Sequence, residues 1–288
     1  LIAIATVVCS LPRTLDNIKS LGIASAATFT VASIVAMVGA GLYPTPDRIV
    51  VGTKETDFYS AFFAITNPVY AYAGHVLFFL IISEMKKPED AIKSAVTLQS
   101  FATVLYVVFA VVTYVFIGDT VASPSFLSLE IRWQKAAFGI SLLNFIIAGG
   151  LYAHTAAKLI FVRLFRHSRH LHSHSVTGWT TWVCLVLVVN AAAFVLAVGI
   201  PIFNYLIGIA ASLFAAWYTY GLAGFFLFHM LYHDGQGYRE WARKWLQSLL
   251  ALVTIFLGAF ICVAGTYVTI RGIRDAYAAG TLMPPFSC

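Results

Sequence analysis

The stretch Asn67-Pro-Val-Tyr-Ala-Tyr-Ala-Gly-His-Val76 lies in the middle of an apolar run from about Phe58 to Met85, long enough to cross a bilayer. Lipid offers backbone groups no partners, so a crossing segment is expected to be one unbroken helix unless protein or water covers a break. Here Pro68 removes an amide donor, Gly74 weakens the helix, and His75 puts an ionisable ring at mid-span. Three such residues in one place predict a discontinuous helix. Secondary transporters build substrate sites from helices of that kind.

Composition sets the class around this stretch. With 60% hydrophobic and 10% charged residues and a mean hydropathy of +0.85, the chain is an all-α integral membrane protein with several spans. The net charge of +6 comes from Lys and Arg in short loops between apolar runs, so it carries topology and no nucleic-acid surface. Cys9, Cys184, Cys262 and Cys288 show no metal-ligand spacing. No Ser-His-Asp arrangement, HExxH or phosphate-binding loop occurs, so no catalytic residue, metal site or cofactor is expected, and the chain does not read as an enzyme.

Residues 1–288 read as a single transmembrane domain. A partial helix at 1–10 is too short to span, and no basic segment precedes it, so the chain is expected to be the carboxyl-terminal portion of a longer protein. Full spans follow at about 21–43, 58–85, 94–117, 133–165, 179–198, 202–231 and 245–270, with Pro201 and Asn204 marking a tight turn between the fifth and sixth. One set of loops holds eleven Lys and Arg residues and the alternate set six, Lys158 remaining within a span. The richer set is therefore expected in the cytoplasm. The carboxyl terminus is then extracytoplasmic, which opposes the rival of a seven-helix receptor. A membrane-bound acyltransferase is a second rival, because an intramembrane His can serve acyl transfer, but no acyl-donor site accompanies it.

The chemistry the residues offer is concentrated in two spans. Unwinding near Tyr72, Ala73, Gly74 and His75 frees carbonyls and amides, and half-helix ends add partial charges that suit a zwitterion. Asn67 either binds ligand or satisfies the carbonyl that Pro68 leaves without a donor. In the fourth full span Ser141, Asn144, Thr155 and Lys158 fall within about 100° of one another, with His154 at the edge of that arc. Such a stripe lines a polar path or joins helices through hydrogen bonds. Intramembrane His154 and Lys158, with His75, are the titratable candidates for ion coupling, although Lys158 is close enough to Arg163 to snorkel. Gly149-Gly150 permits close approach of a neighbouring helix. Asn190, Tyr218, Thr219 and Tyr220 are weaker candidates for the same cavity. The run His167 to His174 lacks Cys or carboxylate partners and reads as a basic loop at the headgroups.

At these residues the chain resembles a known family. Ile65-Thr-Asn-Pro-Val-Tyr-Ala-Tyr-Ala-Gly-His75, with Phe78-Phe79 and Ile82-Ser-Glu-Met-Lys86, is similar to the sixth helix of the amino acid/auxin permeases. Ser10-Leu-Pro-Arg13, Ala156-Ala-Lys158, Phe161-Val-Arg-Leu-Phe165 and Trp217-Tyr-Thr-Tyr-Gly-Leu222 resemble the fungal neutral amino acid permease branch. The resemblance implies an inverted-repeat leucine-transporter-type fold of eleven helices, of which this chain holds the end of the fourth through the eleventh. The amino-terminal repeat would be largely missing, and with it the other broken helix, so this chain alone is expected not to transport. The implied activity is secondary active, proton-coupled symport of neutral amino acids by alternating access. The implied partners are an amino acid, protons and the lipid bilayer, with the plasma membrane favoured over the vacuolar membrane.

Overall fold

The computed structural model describes residues 2–13, 19–52, 56–171, 173–199, 203–234 and 237–280, without the side chains of a few of these, among them His75 and Glu84. The expected turn at Pro201 therefore falls outside the described residues. No strand occurs among the described residues. The helices are α1 (Ile2–Ser10), α2 (Lys19–Leu42), α3 (Phe58–Ala71), α4 (His75–Glu84), α5 (Ala91–Ile117), α6 (Ile131–Leu164), α7 (Val176–Gly199), α8 (Phe203–Ala210), a π-helix (Ala211–Gly221), α9 (Leu222–Asp234), α10 (Tyr238–Arg243) and α11 (Trp245–Ala278).

Among the described residues, six continuous helical segments are long and apolar enough to cross a membrane: Ser20–Leu42, Pro88–Ile117, Ile131–Leu164, Val176–Val198, Phe203–His233 and Trp245–Ala278. The remaining apolar run is divided into α3 and α4, of 14 and 10 residues. At 1.5 Å per residue neither half alone reaches across a hydrocarbon layer of about 30 Å. Large apolar side chains such as Val31, Ile34, Val38, Phe194 and Phe256 face outward, while many of the buried positions hold Ala, Gly, Ser or Thr. That inversion of the soluble pattern is what a lipid solvent dictates: association there rests on close packing of small residues and on hydrogen bonds between helices.

The chain forms two compact units. The first comprises residues 1–52 and 93–199. In it α6 packs against α1, α2 and α7. Buried Ala36 and Ala40 of α2, one helical turn apart, join Ile117, Leu129 and Ala137, with Phe116, Phe126 and Trp133 closing over them. A second cluster holds Ala157 and Phe161 of α6 against Trp182 and Val186 of α7.

The second unit comprises residues 53–92 and 200–288. Its axis is α11, which runs antiparallel to the α8–π–α9 segment. Ala251, Gly258, Gly265 and Gly272 recur every seven residues and form the contact edge. A Cβ at Gly258 would lie 2.8 Å from the Gly221 amide, one at Gly265 would meet Ser212 Oγ, and one at Gly272 would lie 2.7 Å from the Tyr205 ring. A seven-residue repeat stays on one side of a helix when the pair wraps left-handedly. Helix α3 lies on this pair, with Phe62 edge-on to Phe260 (centroids 5.4 Å apart) and Phe63 5.2 Å from Tyr205.

Candidate functional site: a broken helix in one unit and a buried polar junction in the other

In the second unit the helix continues through Pro68 and breaks three residues beyond it. Proline removes only its own N–H, so the Ala64 carbonyl loses a donor while the backbone path stays helical. Among the described residues no hydrogen bond from the Asn67 side chain replaces that donor, and Asn67 is exposed on this unit. The Tyr72 amide still donates to the Pro68 carbonyl (3.1 Å), but that of Ala73 turns to Tyr70 (3.1 Å), a tighter bond that ends α3. Tyr72 (φ −98°, ψ 14°) and Gly74 (φ −76°, ψ −4°) carry the turn, after which His75 opens α4. The Leu77 amide donates to the Gly74 carbonyl at 3.1 Å, the first bond of the new half-helix.

The break is anchored by what it packs on. Buried Val69 meets Ala211, Ala215, Ala216 and Ile261, and half-buried Ala73 and Tyr220 close on the same cluster. The unwound turn therefore lies beside a π-helix, itself an irregularity found often at functional sites. Thr66, one residue before Asn67, is 1% exposed and its hydroxyl donates to the Phe63 carbonyl at 2.6 Å. The hydroxyls of Ser212, Thr219 and Thr266 are buried without a hydrogen-bond partner among the described residues. Gly74 is exposed, and among the described residues a Cβ built on it meets nothing within 4 Å apart from its chain neighbours.

Of the substrate-contact residues expected from the sequence, Tyr72, Ala73 and Gly74 are thus gathered in one turn, with Asn67 just over a helical turn earlier. The His75 backbone begins α4, and its side chain lies outside the described residues. Thr66 and Ser212 were not expected, although a small hydroxyl residue between glycines and alanines is the one signal that marks Ser212. The π-helix has no counterpart in the sequence pattern.

The polar stripe belongs to α6 in the first unit. Asn144 Oδ1 accepts a 2.6 Å bond from Ser25 of α2, so this residue joins two helices. Thr155 bonds within its own helix, to the Leu151 carbonyl. Ser141 is wholly buried. Lys158 is half-buried and engaged by neighbours.

His154 lies ten residues beyond Asn144, about 15 Å along the axis, and is 0% exposed. Its Nδ1 is 3.4 Å from the Ser10 carbonyl, and its ring meets Trp182 edge-on at 5.2 Å. A carbonyl only accepts, so that contact places the proton on Nδ1. Ser10 Oγ donates to the Gly150 carbonyl at 3.0 Å, and Trp182 Nε1 to the Leu11 carbonyl at 2.8 Å. Thr6 reaches Asn190 of α7 at 3.3 Å. Arg13 then lies over Phe161 and Trp179 and donates to the His170 and Ser173 carbonyls. His170 in turn bonds Ser175, whose hydroxyl accepts from the Gly178 amide and caps α7. The end of α1 is thereby tied to both α6 and α7. Gly150 makes this possible, because a Cβ there would lie 2.5 Å from that of Cys9.

Comparison with known proteins agrees with this architecture. The model of the family described as transmembrane amino acid transporter protein matches residues 1–271. A transmembrane transporter of Gibberella moniliformis is 34% identical over 224 residues, which cover 77% of this chain and 46% of the relative. A transmembrane transporter of Fusarium pseudograminearum is 32% identical over 227 residues, 78% of this chain and 47% of the relative. The N amino acid transport system protein of Neurospora crassa is 28% identical over 235 residues, 82% and 49% respectively. No solved structure matches significantly. The chain spans about half the length of the curated relatives it matches. With a family match over nearly its whole length, the chain belongs to the transmembrane amino acid transporter protein family.

Proposed function

We propose that the protein of which this chain is a part carries neutral amino acids across a membrane by secondary active, proton-coupled symport with alternating access. The observation that carries this reading is the break at Tyr72–Gly74 in an otherwise spanning helix, in a chain whose family transports amino acids. A zwitterion needs a partial positive end for its carboxylate and carbonyls for its ammonium, and two half-helix termini supply both without a protein charge. Asn67, Tyr72, Ala73, Gly74 and His75 are the proposed contacts in the second unit, and Asn144 the proposed contact from α6. The inverted-repeat leucine-transporter-type fold is the proposed frame for them.

His75, His154 and Lys158 are the proposed coupling groups. An imidazole titrates near neutral pH and can exchange a proton as access alternates. His154 holds its Nδ1 against the Ser10 carbonyl, so charging its ring would act on the α1–α6–α7 junction. The plasma membrane is the proposed location. The test is uptake of labelled neutral amino acids by cells expressing the complete gene, as a function of external pH. The substitution His75→Ala is expected to abolish uptake or to remove its pH dependence. Uptake with an unchanged pH profile would refute the role given to His75.

A further inference from the structure

Apart from the break, the second unit holds a cavity of about 240 Å³ where the start of α3, the start of α8 and the end of α11 meet. The charge bias of the loops assigns this end to the extracytoplasmic side. Its lining combines charged groups, Asp57 before α3 and Arg271 and Asp275 one turn apart on α11, with the aromatic Tyr59, Phe63 and Tyr205. Tyr205 lies flat against Gly272, where a side chain would displace it.

The guanidinium of Arg271 stacks 3.8 Å over the Tyr59 ring. Stacking occupies one face of the guanidinium, the Tyr59 and Tyr267 hydroxyls lie against its edge, and the group lines the cavity. Asp275 lies 3.6 Å from Arg271 Nε, a loosely closed pair, and its Oδ1 also accepts from Arg274 Nε and Nη2 at 3.4 and 3.3 Å. The Arg271 and Asp275 side chains are open to solvent, at 39% and 54% exposure. The Ser60 side chain lowers the Asp57 carboxyl pKa from its ordinary value, against a smaller opposing effect of desolvation.

We infer that this cavity is a vestibular binding site for a free amino acid zwitterion, in which Arg271 takes the carboxylate, Asp57 and Asp275 take the ammonium, and Phe63 and Tyr205 receive an apolar side chain. A planar guanidinium and carboxylates lining one cavity offer a partner to each end of an α-amino acid. The site collects substrate before the broken helix receives it. It rests on the proposed amino acid transport.

The test is uptake kinetics in cells expressing the complete gene, with rates normalised to surface protein. Arg271→Gln is expected to raise KM about tenfold or more and to leave the maximal rate within twofold. Arg271→Lys, which keeps the charge but loses the fork, is expected to fall between. The primary amine lacking the carboxylate should compete as well in Arg271→Gln as in the parent, because it never used Arg271. A KM within twofold of the parent in both variants overturns the site. Should Arg271→Gln fail to reach the surface, Ser60→Cys decides. Its reaction with a bulky membrane-impermeant thiol reagent must raise KM, and unchanged kinetics after complete labelling overturn the site. A parent that neither binds nor moves any amino acid removes the transport proposal itself, and the vestibule with it. A transporting parent with an indifferent Arg271 removes the vestibule alone.

Discussion

The α1–α6 contact gives the sharpest quantitative expectation. In Gly150→Ala the new methyl would lie 2.5 Å from Cys9 Cβ and 3.4 Å from the Cys9 carbonyl carbon and the Thr6 carbonyl oxygen. Apolar carbons rest at about 3.5–4.0 Å, so α1 must retreat by about 1 Å. That retreat lengthens the 3.0 Å Ser10–Gly150 and 2.8 Å Trp182–Leu11 bonds beyond hydrogen-bonding range, and the 3.4 Å His154 contact with them. Overpacking costs about 1–3 kcal/mol, and interhelical hydrogen bonds in membrane proteins contribute about 0.6 kcal/mol each. The sum is a loss of about 2–4 kcal/mol. The assay is thermal unfolding of the purified complete protein in detergent, followed by the fraction that stays monodisperse. Cys9→Gly removes the nearest clashing atom at a helix penalty of about 0.5–1 kcal/mol, so adding it to Gly150→Ala should restore more than half of the loss. A Gly150→Ala protein as stable as the parent, or a double variant no better than the single one, refutes the reasoning.

Two further outcomes follow from particular side chains. Ser212→Ala removes a buried hydroxyl that has no partner among the described residues, so stability should be unchanged or raised by up to about 1 kcal/mol; a clear fall in melting temperature would show that the hydroxyl is bonded in the working protein. Asp57 has a depressed carboxyl pKa, so whatever it adds to stability is present above the unfolded-state pKa and is lost as pH falls through its lower folded value. Melting temperatures of the parent and of Asp57→Asn should therefore differ slightly at neutral pH and converge only below the ordinary carboxylate range. A gap that persists unchanged at the acid end contradicts this.

The broken helix was legible because its signals are local. Pro68 and Gly74 bracket the place where the backbone turns, and the 28-residue apolar run around them has to be protein-covered for a break to survive. The position of the turn was less legible. It falls at Tyr72–Gly74 and leaves Asn67 and Pro68 helical, because a proline removes one donor whereas the packing of Ala73 on the Val69 cluster decides where the chain leaves the helix. Gly149-Gly150 predicted a close neighbour but not that the neighbour is α1, since small residues advertise proximity without naming a partner. The π-helix left no trace. Within it Trp217 lies against Gly221, and Gly258 of the distant α11 approaches the Gly221 backbone, a contact that local sequence does not encode. Likewise nothing in Asp57, Arg271 and Asp275 as separate loop charges indicates that they line one cavity.

The central claim is that the break at Tyr72–Gly74 is the substrate's place, and Gly74 tests it most directly. Its φ of −76° is open to any residue, and among the described residues a Cβ there meets no atom within 4 Å apart from its chain neighbours. A side chain at this position should therefore leave folding intact and fill only the space where an amino acid would lie. Equilibrium binding of a labelled neutral amino acid is measured on the purified complete protein for the parent, Gly74→Ala and Gly74→Leu. Binding should weaken progressively, at least tenfold for leucine, with unchanged melting temperatures. Parent-like affinity in Gly74→Leu would contradict it.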